Sequence, residues 1–173
     1  MSALQPLETA LEDIFVKKAP ALPPNGKKAL VTYLPWINLV LGLLTLYTAY
    51  WLWHWAHLAN SLINYANSLS TAYGGPVVTG RLTSGIWLGL IVLVVEALLY
   101  LAAFPATRER KKSGWDLMFY ALIVNVVYGV VILFTSYGGV SSLISTLIGS
   151  GIGLYFLFQI RSSYVKHPLD KKV

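Results

Sequence analysis

Few side chains in this sequence could do chemistry in apolar surroundings, and Glu96 is the first of them. It lies in IleValLeuValValGluAlaLeuLeuTyr, where a carboxylate facing lipid would be costly, so it must face protein or water, or carry its proton. A carboxyl in that setting can bind a solute or relay a proton. It can equally make an interhelical hydrogen bond that fixes helix register. Asn125, in IleValAsnValVal, is its expected partner, because counting inward from the ends of the two apolar stretches places both within about one turn of the same depth. Tyr100 and Tyr128 lie four and three residues further along and extend the polar stripe, and Ser150 is placed to reach it from the last stretch. Asn38 sits nearer the start of the first stretch, either in an inner vestibule with Tyr100 or holding a water close to the interface.

His54 and His57, in TrpHisTrpAlaHisLeuAlaAsn, share a helix face and are weak candidates for a metal. A third ligand is missing from the pattern: the chain has no cysteine, no acid falls in the segments on that side, and His167 is expected on the other. GxSxG, HExxH and Walker-loop patterns are absent from the sequence, as is a pair of neighbouring carboxylates within the apolar stretches. Hydrolase, zinc-protease and ATP-driven readings lose their usual footing. Nothing in the sequence calls for a cofactor, and no catalytic residue is singled out.

The elements that position these residues are set by hydropathy. Of 173 residues 56% are hydrophobic and only 12% charged, with a mean hydropathy of +0.62, too apolar for an ordinary soluble domain. Four stretches, about 33–57, 83–104, 116–137 and 141–160, have the roughly 20 residues a helix needs to cross about 30 Å of hydrocarbon. The expected fold is an all-α integral membrane protein with four transmembrane helices in an antiparallel bundle, either a compact up-and-down set or a flatter one that closes on dimerisation. In this division residues 1–27 form a cytoplasmic amphipathic helix and Pro-rich connector, 28–162 the transmembrane domain, and 163–173 a basic cytoplasmic tail.

Orientation follows from charge. Four basic residues precede the first span (Lys17, Lys18, Lys27, Lys28), four lie between spans two and three (Arg108, Arg110, Lys111, Lys112), and four follow the last (Arg161, Lys166, Lys171, Lys172). Only Arg81 falls on the opposite side. That positive-inside pattern puts both termini in the cytoplasm and the protein in the cytoplasmic membrane, and the same charges favour anionic inner-leaflet lipids. The basic clusters are short and lack interleaved aromatics, which argues against nucleic acid. The N-terminus does not read as a cleaved signal peptide, since acids interrupt it.

Residues 3–16 carry Leu4, Leu7, Leu11, Ile14 and Phe15 at helical spacing, with Ser2 and Gln5 as a capping box. The expectation is a helix lying on the inner leaflet with Lys17 and Lys18 toward headgroups, favoured over one docked under the bundle. Pro20, Pro23 and Pro24 make 19–26 a stiff connector, and Pro35 is expected in the first turn of span one. Beyond Ala59 polar residues increase while Leu58, Leu62, Tyr65 and Leu69 keep helical spacing. The helix is expected to project from the membrane or bend onto it until Gly74, Gly75 and Pro76 end it.

Span two is expected to start near Arg81–Ser84 and stop at Pro105, and Ser113 with Asp116 to cap span three. The turn through Tyr137, Gly138 and Gly139 makes spans three and four neighbours. Trp36 and Trp115 suit the inner interface, and Trp51, Trp53, Trp55, Trp87 and Tyr137 the outer one.

Span four offers a packing surface. Ser145, Gly149 and Gly153 recur at intervals of four beside a second row of Ser142, Thr146 and Ser150, and such small-residue rows let helix backbones approach closely in lipid. Gln159 could end that interface by hydrogen bonding. Three function classes fit: a small four-helix membrane module acting through packing or assembly with itself or a membrane-protein partner; a transporter or channel using Glu96 and Asn125 as a midplane site; and a membrane-embedded enzyme or lipid-binding protein. The lack of chemistry motifs favours the first.

Overall fold

The computed structural model describes residues 5–77, 84–134 and 139–164. The capping box at Ser2, the position of Leu4, the Arg81 end of the second span, the Tyr137–Gly138 turn, and the basic tail with His167 lie outside the described residues. The chain forms α1 (Gln5–Glu12), which continues as a π-helical turn over Asp13–Lys18, then α2 (Pro24–Ala72), α3 (Ser84–Arg108), α4 (Lys112–Leu133) and α5 (Val140–Gln159), followed by a 3₁₀ turn at Arg161–Ser163. Helices α2 to α5 are each long and apolar enough to cross a membrane, and the chain is a multi-pass membrane protein.

Neighbours in sequence are neighbours in space. Helix α2 packs on α3, α3 on α4 and α4 on α5, with no comparable contact closing α5 onto α2. At one end all four converge on a core of Val31, Leu34, Ala103, Trp115, Phe119, Leu154, Leu157 and Phe158. Small residues set how closely the helices approach. A Cβ at Gly42 would lie 2.8 Å from the Leu101 side chain, and one at Gly129 would lie 2.8 Å from Thr146.

Several boundaries differ from the sequence expectation. The stiff connector is only 19–23, because Pro24 occupies the first helical position, where a missing N–H is harmless. Pro35 lies well inside α2 rather than in its first turn, and Pro105 lies inside α3 rather than ending it. Each proline costs one backbone hydrogen bond; Pro35 is buried against its neighbours, whereas Pro105, one turn from the end of α3, is exposed. Span one belongs to a continuous helix of 49 residues, about 74 Å long at 1.5 Å per residue, which far exceeds the hydrocarbon thickness. It ends as expected at Gly74, which has φ +72°. There Gly75 N–H donates to the Ser70 carbonyl at 2.7 Å and Gly74 N–H to Thr71 at 3.2 Å, the paired bonds of a Schellman stop.

The α3–α4 turn uses the same device with Arg110 at φ +53°, Lys111 N–H reaching the Ala106 carbonyl and Arg110 N–H that of Thr107. The expected cap at Ser113 and Asp116 does not form. Helix α4 begins at Lys112 with no side-chain cap, and Asp116 instead takes an ion pair from Lys112 at 2.7 Å, one turn back. The tight turn forces this early start, because Gly114 is pressed against the end of α3: a Cβ there would stand 2.6 Å from the Thr107 nitrogen. Trp115 is fully buried rather than part of an interfacial belt, whereas Trp36 is 57% exposed, as a belt residue is.

Backbone cannot yield as a side-chain tip can, so Gly114→Ala is expected to destabilise the protein by about 1–3 kcal/mol. Gly149→Ala, where an added Cβ meets open space, is expected to be neutral or stabilising by up to about 1 kcal/mol. Thermal unfolding of the two variants in detergent distinguishes them.

Candidate functional site

The midspan residues assemble into one hydrogen-bonded chain across three helices. Asn125 Nδ2 on α4 donates to Glu96 Oε1 on α3 at 3.0 Å, and Ser150 Oγ on α5 donates to Asn125 Oδ1 at 3.2 Å. Both ends of the Asn125 amide are thus used, one toward each neighbouring helix. Glu96 is 6% exposed and Ser150 4%. Apolar residues on either side keep the backbone helical, and the side chains meet because α4 lies between α3 and α5. Tyr100 lies one turn along α3 from Glu96 and is half-buried. The Tyr128 hydroxyl lies against Gly89, where an added Cβ would be 2.8 Å from it.

Asn38 stands apart from this chain. It is fully buried, and its Nδ2 lies 3.4 Å from Thr107 Oγ1 and 3.2 Å from Met118 Sδ. It therefore ties α2 to the end of α3 and the start of α4. Thr107 in turn donates to the Ala103 carbonyl at 2.7 Å.

On α5, Thr146, Ser150 and Gly153 face α4, with a Cβ at Gly153 falling 2.9 Å from Leu122. Ser142, Ser145 and Gly149 are exposed. The two small-residue rows are therefore split between the inside and the outside of the chain. His54 and His57 are also exposed; His54 stacks with Tyr50, and His57 lies 4.6 Å from the Trp53 ring centroid. Among the described residues no group of three His, Cys, Asp or Glu is placed to hold a metal.

A second polar cluster lies at the end of the molecule, and Arg161, counted in the sequence only as a topology charge, is its centre. Its guanidinium pairs with Glu8 at 3.0 Å and with Glu12, and its Cζ lies 5.2 Å from the centroid of the Trp115 ring, a cation–π distance. The indole of Trp115 donates to the Leu157 carbonyl at 2.9 Å. Gln159 donates to the Phe15 carbonyl at 2.8 Å and accepts from Leu22 N–H at 3.2 Å, while Tyr155 donates to the Pro20 carbonyl at 2.8 Å. The N-terminal helix is consequently docked against the bundle, with Leu11 and Phe15 on the core, the less favoured of the two expected placements. Lys17 and Lys18 pair with Asp13 and hold its carboxyl below the ordinary value. That contribution is present at neutral pH and fades as pH falls through the lowered value.

The one sequence signal for this dock was the Glu8–Glu12 spacing, which puts two acids on one helix face. Nothing local shows that a residue about 150 positions away completes the cluster. No protein-family model matches the chain, and no curated protein or solved structure does either.

Arg161→Ala removes the partner of a Glu8 side chain that is 8% exposed. A loss on the order of 3 kcal/mol and faster proteolysis between α1 and α2 are expected, with the rest of the helices intact by circular dichroism. In the midspan chain, Asn125→Ala leaves both Glu96 and Ser150 unpaired and is expected to cost about 1–2 kcal/mol. Glu96→Gln keeps an acceptor for Asn125 and is expected to cost less. Denaturation in mixed micelles ranks the two.

Proposed function

We propose that this protein is a small four-helix membrane module that works through helix packing and assembly, with itself or with a membrane-protein partner, and not through chemistry at its midplane. The observation that carries this reading is the way the Asn125 amide is spent. Each of its two ends bonds an adjacent helix, which is the arrangement that fixes register among α3, α4 and α5. In lipid such bonds are each worth roughly 0.6 kcal/mol on average and up to about 1.7, enough to select one packing. The surface grooves beside Trp53 and His57, beneath Phe15 and Tyr155, and between Leu88 and Val131 are not lined by Glu96, Asn125 or Ser150, although Tyr128 lines the last of them.

In this reading the helices alternate in direction and both termini face the cytoplasm, as the basic residues at Lys27, Lys28, Arg108, Lys111 and Lys112 favour. The membrane is the cytoplasmic one, and the basic end of the molecule meets anionic headgroups. The exposed face of α5 at Ser142, Ser145 and Gly149 is open to a partner helix.

The competing reading is a transporter with Glu96 and Asn125 as its site, and proton or cation flux into proteoliposomes separates the two. The module reading expects background flux from the wild type and from Glu96→Gln alike across pH 5–8. A pH-dependent flux that Glu96→Gln abolishes would overturn it.

A further inference from the structure

The last turns of α2, past the length needed to cross the hydrocarbon, carry a sequence repeat with an exposed apolar stripe. Residues 58–64 read LeuAlaAsnSerLeuIleAsn and 65–71 read TyrAlaAsnSerLeuSerThr, so Ala-Asn-Ser-Leu recurs seven positions apart. Both heptads lie in unbroken α-helix. Leu58, Leu62, Tyr65 and Leu69, spaced four, three and four, form one stripe that is 43%, 60%, 66% and 44% exposed. The opposite side, at Ile63 and Ser70, is the more covered one.

Deepening the assembly reading above, on which it rests, we propose that this stripe is the seam of a parallel, in-register coiled coil with a second copy of the chain. A strict 3.5-residue spacing on a helix underwinds toward a left-handed supercoil and is the pattern that two such helices share. Copies inserted in one membrane with the same topology present their stripes at the same height and in the same direction, so each meets its own sequence in register. Charge agrees with pairing of like with like. Positions 29–80 contain no Asp, Glu, Lys or Arg, and the residues flanking the seam are Ala59, Ser61, Ala66 and Ser68. Two copies meet there without repulsion, whereas a seam selecting a different partner normally carries charges at those positions.

Two heptads bury less than the roughly 1,200 Å² of a stable soluble interface, and isolated helices of that length are marginal. The seam answers both limits. It continues in the same spacing through Trp55 and Trp51, which are 57% and 40% exposed, toward the membrane. Moreover, the preceding turns of α2 already hold the helix formed, and confinement to one bilayer raises the effective concentration of the second copy.

The absence of cysteine makes the test direct. Single variants Leu58→Cys, Leu62→Cys, Leu69→Cys, Asn64→Cys and Thr71→Cys of the full chain are reconstituted in phosphatidylcholine–phosphatidylglycerol liposomes and treated with a copper oxidant or a short bis-maleimide. Covalent dimer several-fold more abundant at Leu58, Leu62 and Leu69 than at Asn64 and Thr71 is the expected result. Equal cross-linking at all five positions, or none at any, overturns the seam, as does dimer that forms only with another protein in native membranes. Photobleaching of the labelled wild type should count two copies; single copies at every protein density overturn the proposal without reference to the variants. Flux in the same liposomes reports on the module reading independently, so a dimer that conducts would keep the seam and remove the module, and a silent monomer would do the reverse.

Discussion

Hydrocarbon offers no hydrogen bonds, and that constraint shapes everything around Glu96. A carboxyl placed among valines and leucines must find its partner inside the protein. Asn125 supplies it, and Asn125 in turn has a carbonyl oxygen that Ser150 satisfies. One bond thereby leads to the next across three helices. Asn38 plays the same part for α2, its amide directed at Thr107 and Met118. These bonds are individually small, so their effect is on which packing forms. Close contact supplies more of the association, at Gly42 against Leu101, Gly114 against Thr107, Gly129 against Thr146 and Gly153 against Leu122, because dispersion at short range is what remains when lipid is as apolar as the helix.

At the end of the molecule the logic is reversed. There water and headgroups are within reach, and charge can be used if it is paired. Arg161 holds two acids from one short helix and at the same time covers the Trp115 ring. Desolvating such a pair offsets much of its attraction. The aromatic contacts beneath it, Phe15 on Phe158 and Trp115 on Phe119 and Phe158, are therefore the firmer part of the dock, and the charges direct which helix occupies it.

Helix α2 differs from its neighbours in how little of it the chain covers. One edge carries the small or polar residues Asn38, Gly42 and Ala49, which α3 meets. The remainder presents Leu, Trp and Tyr outward along its length. Within the bilayer lipid satisfies that surface. The same kind of surface continues through about the last four turns of the helix, past the length that the hydrocarbon needs.

The sequence by itself determined the number of apolar helices, the glycine stop at Gly74 and the depth match of Glu96 with Asn125. Each of these depends on length, local backbone preference or simple counting along a helix. Tertiary structure alone decided the fates of Pro35 and Pro105, the use of Asp116, the burial of Trp115 and the role of Arg161. A proline inside a membrane helix is tolerated where neighbouring helices, water or local adjustment satisfy the backbone it frees, and Pro35 is buried while Pro105 is exposed. A cap is abandoned when a close turn such as that at Gly114 moves the helix start. A tryptophan is core or belt according to what packs over it. Arg161 is a surface charge until Glu8, 153 positions earlier, is brought beside it. Local chemistry sets which states a residue tolerates, and contacts between segments remote in the chain choose among them.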